Sequence, residues 1–451
     1  MKITAIIAEY NPFHNGHAYQ IQKARELTQA DAILVVMSGN FVQRGTPAVF
    51  DKYTRARMAI QCGADLVLEL PCIFSTASAE YFALGAVSLL DSLGCIDSLV
   101  FGAESDQLET LLALAGYLLH PDKDFLNTLS KLQKEGLSYP VARTMALKSS
   151  ICSQPDFPCE HPDELEAILQ LPNNILGLEY CKALLTIHSN ILPVLLQRTS
   201  ANYHASSLSG DFCSATAIRS LLFDSGQDVT AKLAQLKSVV PPDTLGLYET
   251  MLQSNCCLSE QVLSLPLHLK LLSEQDLGFS TYLDVTDKFS SKIQKELANY
   301  TDFTSFAERL KSKDITYTRI CRNLLHIFLE IQKDSIPPLD SIREFYTVKY
   351  DSKGSSHNPL AFYARPLAMS QTGRKLLSVI AQNATIPLLS KISDWDKTLL
   401  EYPFTEASQK EKAHTLFALD LSAAHTYEAM KTNLSGLPFQ HEYQRRLLFC
   451  E

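Results

Sequence analysis

The sequence lacks the two glycine-rich turns that most often mark a nucleotide site. No Gly-x-Gly-x-x-Gly follows the first apolar run, residues 3–7, so the ordinary dinucleotide-binding turn is excluded. No Gly-x-x-x-x-Gly-Lys occurs in the 451 residues, which excludes a P-loop. Any phosphate-binding function must therefore rest on other residues.

Disulfide spacing, a membrane span and a basic composition are also missing. The 11 cysteines are odd in number and show no paired spacing apart from adjacent Cys256 and Cys257, which favours reduced thiols. No apolar stretch reaches transmembrane length, and the chain begins without a signal-peptide layout. The formal net charge of -9 argues against a protein that coats nucleic acid, but it allows a local basic face. We therefore expect a cytoplasmic protein.

Apolar runs alternate with helical patterns along the first half of the chain. Residues 3–7, 31–37, 65–71, 98–104 and 191–196 predict strands, and residues 18–28, 51–62 and 78–93 predict helices. Because parallel strands need crossover helices, this order predicts a doubly wound parallel sheet of the α/β class. From about residue 225 the patterns are mostly helical, and the length suits two or three domains.

Two histidines occupy the turn between the first strand and the first helix, in the stretch Asn11-Pro12-Phe13-His14-Asn15-Gly16-His17. Backbone N–H groups at a helix N-terminus are unpaired, and the helix dipole there favours negative charge. Gly16 lets a ligand approach the backbone closely. His14 and His17 are three residues apart and share a helical face, so their imidazoles suit a phosphate whose charge grows during transfer.

Other interpretations of these histidines are ordinary turn formation, helix decoration or a metal site. Zinc normally needs three or four ligands, and no Cys-x-x-Cys accompanies this pair. We therefore expect no metal bound by protein side chains.

A second anion site is predicted at Ser214-Ala215-Thr216-Ala217-Ile218-Arg219. Ser214 is a good N-cap, and Thr216 and Arg219 fall in the first turn of the helix. Hydroxyls, free N–H groups and a guanidinium at this position can hold an anion. The alternative is a plain capped helix with an exposed arginine.

Three further positions follow predicted strands or begin a helix. Gly102 lies where a backbone would approach a base or ribose, or where a tight turn simply needs glycine. Asn173 and Asn174 could cap a helix or read polar edges of a nucleoside. Arg198 leaves the sheet at its ligand-binding edge.

Cations beside aromatic residues offer a surface for RNA, which is held by phosphate contact and stacking. For any single cation, the alternative is a solvated helix face. The candidates are Lys52, Arg55, Arg319, Arg322, Arg365, Arg374 and Lys375.

The two motifs at residues 11–17 and 214–219 together resemble the nucleotidyltransferase superfamily, in which His-x-Gly-His and Ser/Thr-x-x-Arg clamp ATP. With residues 9–17, 38–45, 65–71, 101–104, 173–180 and 317–320, the resemblance extends nearly the length of the chain. As a set, these stretches resemble the tRNA(Met) cytidine acetate ligase family.

The resemblance implies a bacterial cytoplasmic ligase. Such an enzyme uses ATP to activate acetate to acetyl-adenylate, and then acetylates the N4 amine of the wobble cytidine of elongator tRNA(Met). The resemblance also implies a catalytic domain at residues 1–223 and a mainly helical candidate tRNA-binding domain at 224–451. It implies ATP as a substrate, together with Mg²⁺. A rival hypothesis is a nucleotidyltransferase that adenylylates a small phosphorylated metabolite, and another is a nucleotide-sensing or RNA-binding module without catalysis.

The resemblance also implies roles for individual residues. His14 and His17 would stabilise the α-phosphorus, and Ser214, Thr216 and Arg219 would hold the leaving pyrophosphate. The implied ATP site comprises Ile7, Ala8, Glu9, Tyr10, Asn11, Pro12, Phe13, His14, Asn15, Gly16, His17, Ala18, Tyr19, Gln20, Gly102, Asn173, Asn174 and Arg198.

Overall fold

The structure is a computed structural model that describes residues 1–137, 139–151, 157–158, 162–198, 213–313, 315–351, 360–404 and 406–450. Within these residues the strands are β1 Ile3–Ala8, β2 Ala32–Ser38, β3 Phe41–Val42, β4 Thr46–Pro47, β5 Leu66–Leu70, β6 Ser98–Ala103, β7 Leu192–Gln197, β8 Arg365–Met369 and β9 Leu448–Phe449.

Helices make up most of the remaining described residues. Those before residue 225 are α1 Asn15–Thr28, α2 Lys52–Gln61, α3 Cys72–Ser75, α4 Ala79–Ser92, α5 Leu108–Leu119, α6 Lys123–Lys134, α7 Tyr139–Ile151, α8 Pro162–Gln170, α9 Pro172–Thr186 and α10 Ala215–Leu222. Those after it are α11 Val229–Leu236, α12 Pro242–Gln253, α13 Ser264–Glu274, α14 Asp287–Glu296, α15 Phe303–Arg309, α16 Tyr317–Phe328, α17 Leu339–Asp351, α18 Gln371–Asn383, α19 Trp395–Glu401 and α20 Ala407–Ser435. Short 3₁₀ turns lie at Glu260–Leu263, Leu297–Asn299, Lys333–Ser335, Ile392–Asp394 and Glu442–Gln444.

The five strands that the sequence predicts form a parallel sheet in the order β7-β6-β1-β2-β5. This order confirms the predicted doubly wound α/β architecture. The chain moves outward from β1 in both directions, so the topological switch point lies between β1 and β6. Ligands bind such sheets in the crevice at the carboxyl ends of these two strands. The histidine turn and Gly102 both lie there.

Alternate residues of the strands face two different layers of helices. Ile6, Val35 and Val67 belong to a core that includes residues of α1, α2 and α10. Val36 and Leu68 belong to a second core with α4, α9 and much of the second half. Because residues i and i+2 share a face, the continuous apolar runs cover both faces of the sheet.

The second half adds two strands beyond β5 that the sequence analysis did not predict. β8 pairs antiparallel with β5, and β9 pairs parallel with β8. β3 and β4 form a separate antiparallel hairpin. The halves on either side of residue 223 therefore share one sheet. The domain boundary at this residue stays a prediction, and it concerns which half of the chain carries out catalysis and which binds tRNA.

Further features of the described residues bear on partners and cofactors. None of their helices combines the length and apolar character that a bilayer crossing requires. The nine cysteines among them are unpaired. No group of three or more His, Cys, Asp or Glu among them is placed to hold a metal ion.

Candidate active site

A cavity of about 570 Å³ opens where β1 and β6 end. Its walls come from the turn after β1, the end of β6, the β3–β4 hairpin and the first turns of α9, α10 and α16. The motifs at residues 11–17 and 214–219 therefore meet in one cavity, although they are far apart in the sequence.

His14 is the N-cap of α1, and its ring is the capping group. The Nδ1 atom of His14 accepts a hydrogen bond from the Gly16 backbone N (3.1 Å), and Nδ1 of His17 accepts one from the His14 backbone N (3.2 Å). The two rings stack with centroids 3.8 Å apart. Because each Nδ1 is an acceptor, a neutral ring carries its proton on Nε2. Both rings line the cavity and offer it an N–H donor.

Both imidazoles are neutral near pH 7 in the absence of ligand. Burial, reinforced by the charges of Arg198 and Arg219, lowers the pKa of His14 to about 3. Burial also lowers the pKa of His17, with His14 and Arg198 adding to the effect. The rings therefore supply hydrogen-bond donors, and the arginines supply the positive charge that attracts phosphate.

Arg219 connects the two motifs. Its Nη1 donates to the backbone carbonyl of Asn11 (2.7 Å), and its Nη2 donates to Oγ1 of Thr216 (2.9 Å). Ser214 is the N-cap of α10, and its Oγ accepts from the Ala217 backbone N (3.1 Å). A guanidinium, two hydroxyls and a helix N-terminus thus face the cavity that the imidazoles line, as an anion site requires.

Gly102 and Arg198 form one wall of the cavity. A Cβ atom at position 102 would lie 3.5 Å from Cγ of Arg198, so this side chain lies over the glycine backbone. The Arg198 backbone N donates to the Ala103 carbonyl (2.8 Å) and extends the ladder between β6 and β7. The sheet therefore fixes a cation beside the two imidazoles.

Glu104 organises the start of α9. Its Oε1 accepts from Nδ2 of Asn173 (2.6 Å), and its Oε2 accepts from the Asn174 backbone N (2.9 Å). Oδ1 of Asn174 accepts in return from the backbone N of Glu104 (2.8 Å) and of Ser105 (3.1 Å). Asn174 is fully buried, and its Nδ2 has no acceptor among the described residues. Asn173 faces the cavity, whereas Asn174 supports the wall from behind.

The β3–β4 hairpin closes one side of the cavity. The Gln43 backbone N donates to Oε1 of Glu9 (2.7 Å). Gly45 has φ +79°, and a Cβ there would lie 2.3 Å from the Arg322 backbone N, so glycine lets the hairpin rest on α16. Thr318, in the first turn of α16, lines the cavity beside exposed Arg319. A helix of the second half therefore forms part of the mouth.

The structure brings most of the predicted ATP-site residues to this cavity. Those that line it are Ile7, Ala8, Glu9, Tyr10, Asn11, His14, Gly16, His17, Tyr19, Gln20, Gly102, Asn173 and Arg198, together with Ser214, Thr216 and Arg219. Those that do not line it are Pro12, Phe13, Asn15, Ala18 and Asn174. Asn15 is turned away because its Nδ2 donates to the Ser238 carbonyl (3.0 Å).

Lys52 and Arg365 are both buried, with 0% and 1% of their surface exposed, and each forms ion pairs with glutamates. Nζ of Lys52 lies 2.8 Å from Glu69 and 2.7 Å from Glu442. Arg365 pairs with the same two glutamates. The prediction that these two cations contact RNA is corrected, because carboxylates from β5 and the C-terminal segment enclose them.

Arg55 is also buried, with 0% of its surface exposed. Its guanidinium donates to backbone carbonyls, which are those of Glu9, Ser38, Gly39 and Phe50. The prediction that it contacts RNA is corrected too, because it fastens the ends of β1 and β2 to the start of α2.

The other predicted RNA contacts differ in placement. Arg322 is half-buried, and burial lowers its pKa. Arg374 and Lys375 are exposed in the first turn of α18, which follows β8 at the amino end of β5, opposite the cavity. Arg319 is exposed beside the cavity mouth, which makes it the best placed of the set.

Several residues of the site carried little sequence signal. Gln43 lies in a loop at the carboxyl end of a strand, and that position was the available clue. Glu104 directly follows the end of β6, and that position was again the available clue. Phe82, Phe101 and Leu176 line the cavity but look like ordinary core residues in the sequence.

Comparisons with known proteins show which family this chain belongs to. The family model described as HIGH Nucleotidyl Transferase matches residues 1–441. A tRNA(Met) cytidine acetate ligase of Clostridium novyi is 38% identical over 87% of this chain and 90% of its own length. One from Clostridium kluyveri is 34% identical over 98% of both chains.

Solved structures show the same fold. The crystal structure of Thermotoga maritima TmcAL bound with α-thio ATP is 29% identical, with a TM-score of 0.83 and 100% of both chains covered. The apo form of that protein gives a TM-score of 0.85 at 30% identity, again with 100% of both chains covered. With the two motifs assembled in one cavity and relatives matched along the whole chain, this protein belongs to the tRNA(Met) cytidine acetate ligase family of HIGH nucleotidyltransferases.

Proposed function

We propose that this chain is an ATP-dependent ligase that activates acetate to acetyl-adenylate. It then transfers the acetyl group to the N4 amine of the wobble cytidine of elongator tRNA(Met), forming N4-acetylcytidine in the cytoplasm. The observation that carries this proposal is the meeting of two neutral imidazole donors and Arg219 in one cavity at the switch point.

The first step is attack of acetate on the α-phosphorus of ATP, with pyrophosphate as the leaving group. Acetate is already a carboxylate at pH 7, so this step needs no base or covalent nucleophile. His14 and His17 donate from Nε2 to the α-phosphate oxygens as their charge grows. Arg219 and the first turn of α10 hold the β- and γ-oxygens.

The nucleoside lies along the wall that Gly102 and Asn173 provide. Apolar side chains of α9 next to Asn173 give the base a low-polarity surface. Arg198, over Gly102, gives this wall a positive charge that is felt by the imidazole of His14.

Mg²⁺ enters with ATP in this proposal. Mg²⁺ is usually held through substrate phosphates, water and one or two protein oxygens. The hydroxyls of Ser214 and Thr216 are hard oxygen donors on the phosphate side of the cavity, so these residues fit an ion carried by the β- and γ-phosphates.

The second step needs an RNA base at the cavity mouth. Acetyl-adenylate is a mixed anhydride that water would hydrolyse, so the enclosed cavity must protect it until RNA arrives. The wobble cytidine is unpaired in an anticodon loop and can be presented there. Thr318 lines the cavity and its neighbour Arg319 is exposed, which supports α16 as the helix that the RNA backbone contacts. An enzyme for a small phosphorylated metabolite would need no such RNA-facing helix.

The test measures acetate-dependent ATP–pyrophosphate exchange, and then acetyl transfer to tRNA, with wild type and His17→Ala. We expect exchange to need acetate and to fall by about 10²–10³ in the variant, the usual loss for one transition-state donor. Exchange that is independent of acetate, or tRNA that stays unmodified, would contradict the proposal.

A further inference from the structure

Glu9 is the one carboxylate among the described residues that line the cavity. It follows β1 directly, beside the histidine turn, and it is half-buried. Activation of acetate gives this side chain no task, because acetate carries its own negative charge. A carboxylate in an anion-binding cavity therefore needs another explanation.

Hydrogen bonds hold both the side chain and the backbone of Glu9. Its carboxylate Oε1 accepts from the Gln43 backbone N at 2.7 Å, and its backbone carbonyl accepts from Nη1 of Arg55 at 2.6 Å. No described residue donates to its second carboxylate oxygen, Oε2. Within the part of the chain that the structure describes, the side chain is thus fixed through one oxygen, and its other oxygen is open to a ligand.

The transfer of acetyl to cytidine requires a proton acceptor. As N4 attacks the carbonyl carbon, the C–N bond forms and the C–O bond to AMP breaks, and AMP leaves with the electron pair. The attacking amine must also lose a proton, because its lone pair is conjugated with the ring and the product is a neutral amide. A positioned base accelerates such a step.

The imidazoles cannot serve as that base in the form seen here. Nδ1 of His14 and of His17 is occupied by a backbone N–H, so the proton of each ring lies on the Nε2 atom offered to the cavity. Arg198 and Arg219 carry no acceptor. Among the described side chains lining the cavity, Glu9 is the remaining strong acceptor.

We propose that Glu9 is the general base of the acetyl-transfer step and takes the proton from the N4 amine through Oε2. This inference rests on the proposed function above. Burial raises the pKa of Glu9, although the Gln43 N–H and the charges of Arg44, Arg219 and Arg55 oppose it. The raised pKa makes Glu9 a better proton acceptor than an exposed carboxylate, and the three cations limit its repulsion of acetate.

The experiment separates the two steps with Glu9→Gln, which keeps an oxygen for the Gln43 N–H. Acetate-dependent pyrophosphate exchange is measured without tRNA, and acetyl transfer is followed in a single turnover from enzyme-bound acetyl-adenylate. Loss of a general base typically costs about 10²–10⁴ in rate, so we expect transfer to fall by that factor. The factor by which the transfer rate falls in Glu9→Gln should exceed the factor by which the exchange rate falls by at least about tenfold.

The pH dependence supplies a second readout. Wild-type transfer should rise with pH as Glu9 ionises and then level off, and Glu9→Gln should lose this rise. Glu26→Gln is the matched control, since it makes the same change at an exposed residue of α1 that does not line the cavity, so the rise should remain.

The inference is overturned if Glu9→Gln lowers exchange and transfer equally, if transfer in Glu9→Gln keeps its rate and its rise with pH, or if Glu26→Gln also abolishes the rise. Failure of the proposed function is distinguishable, because wild type would then show no acetate-dependent exchange.

Discussion

The Nη1 atom of Arg219 donates a hydrogen bond to the backbone carbonyl of Asn11 at 2.7 Å, which joins the two motifs proposed to bind phosphate. The other arm of the same guanidinium bonds to Thr216. One side chain therefore sets the position of the N-terminus of α10 relative to the histidine turn. The ATP site depends on this contact because its two motifs lie on separate helices.

Arg219→Lys tests this contact. Lysine keeps the charge but cannot donate in two fixed directions. We expect adenylation to fall by about 10²-fold, as for loss of an oriented donor. Ser220→Ala, an exposed change on the same helix, is the control and should keep the rate. A wild-type rate of pyrophosphate exchange in Arg219→Lys would show that charge alone suffices.

His14→Asn separates the catalytic role of His14 from its capping role. The Asn oxygen can accept the Gly16 N–H, but its NH₂ group sits on a shorter side chain and cannot donate from the position of Nε2. We expect adenylation to fall by about 10²–10³ while stability is kept. His14→Ala should lose a further ~1 kcal/mol of stability with the cap. Exchange assays beside thermal melts measure both effects, and a fully active His14→Asn would exclude the proposed donor.

Acid should destabilise the ligand-free protein partly through His14. Burial lowers the pKa of His14 to about 3 in the folded state, against 6.5 ordinarily. Between these values the unfolded chain binds more protons, so stability rises with pH and is lost as pH falls from 6.5 towards 3. We therefore expect the melting temperature of His14→Asn to fall less than that of wild type between pH 7 and pH 5. Equal falls would assign the sensitivity to other groups.

Arg319→Glu tests whether α16 contacts RNA, as proposed. Loss of one phosphate contact should weaken tRNA binding and flatten the slope of log affinity against log salt by about 0.7–0.9. Lys375→Glu makes the same charge change at the opposite end of the sheet and should have a smaller effect. Affinity across a salt series measures both variants. Equal weakening would indicate general electrostatics instead of a local contact.

Arg365→Met tests the structural role assigned to a buried cation. The change leaves Glu69 and Glu442 with Lys52 as their partner, and breaking a buried ion-pair network costs about 3–5 kcal/mol. Arg374→Met, at an exposed site, should stay within about 0.5 kcal/mol. Urea denaturation compares the two variants. Similar stabilities would contradict the assignment.

Local patterns in the sequence were enough to predict the parallel sheet, and they also led to the proposal of two anion sites. Continuous apolar runs identify buried parallel strands, and helix N-termini bind anions for reasons that lie within a few residues. The order of the strands was not predicted, and it is this order that brings the histidine turn and Gly102 to one crevice. Ser214 and Arg219 reached the same cavity because their helix packs on the same core.

Tertiary structure alone decided which cations are free to meet RNA. Lys52 and Arg319 look alike in the sequence, since each is a cation near the start of a helix. Lys52 is buried because Glu69 and Glu442 approach it from distant segments, whereas Arg319 faces solvent at the cavity mouth. The same holds for Glu9, whose carboxylate is fixed by a hairpin outside its own strand. Burial and charge pairing are set by contacts between distant segments, and local periodicity carries no information about them.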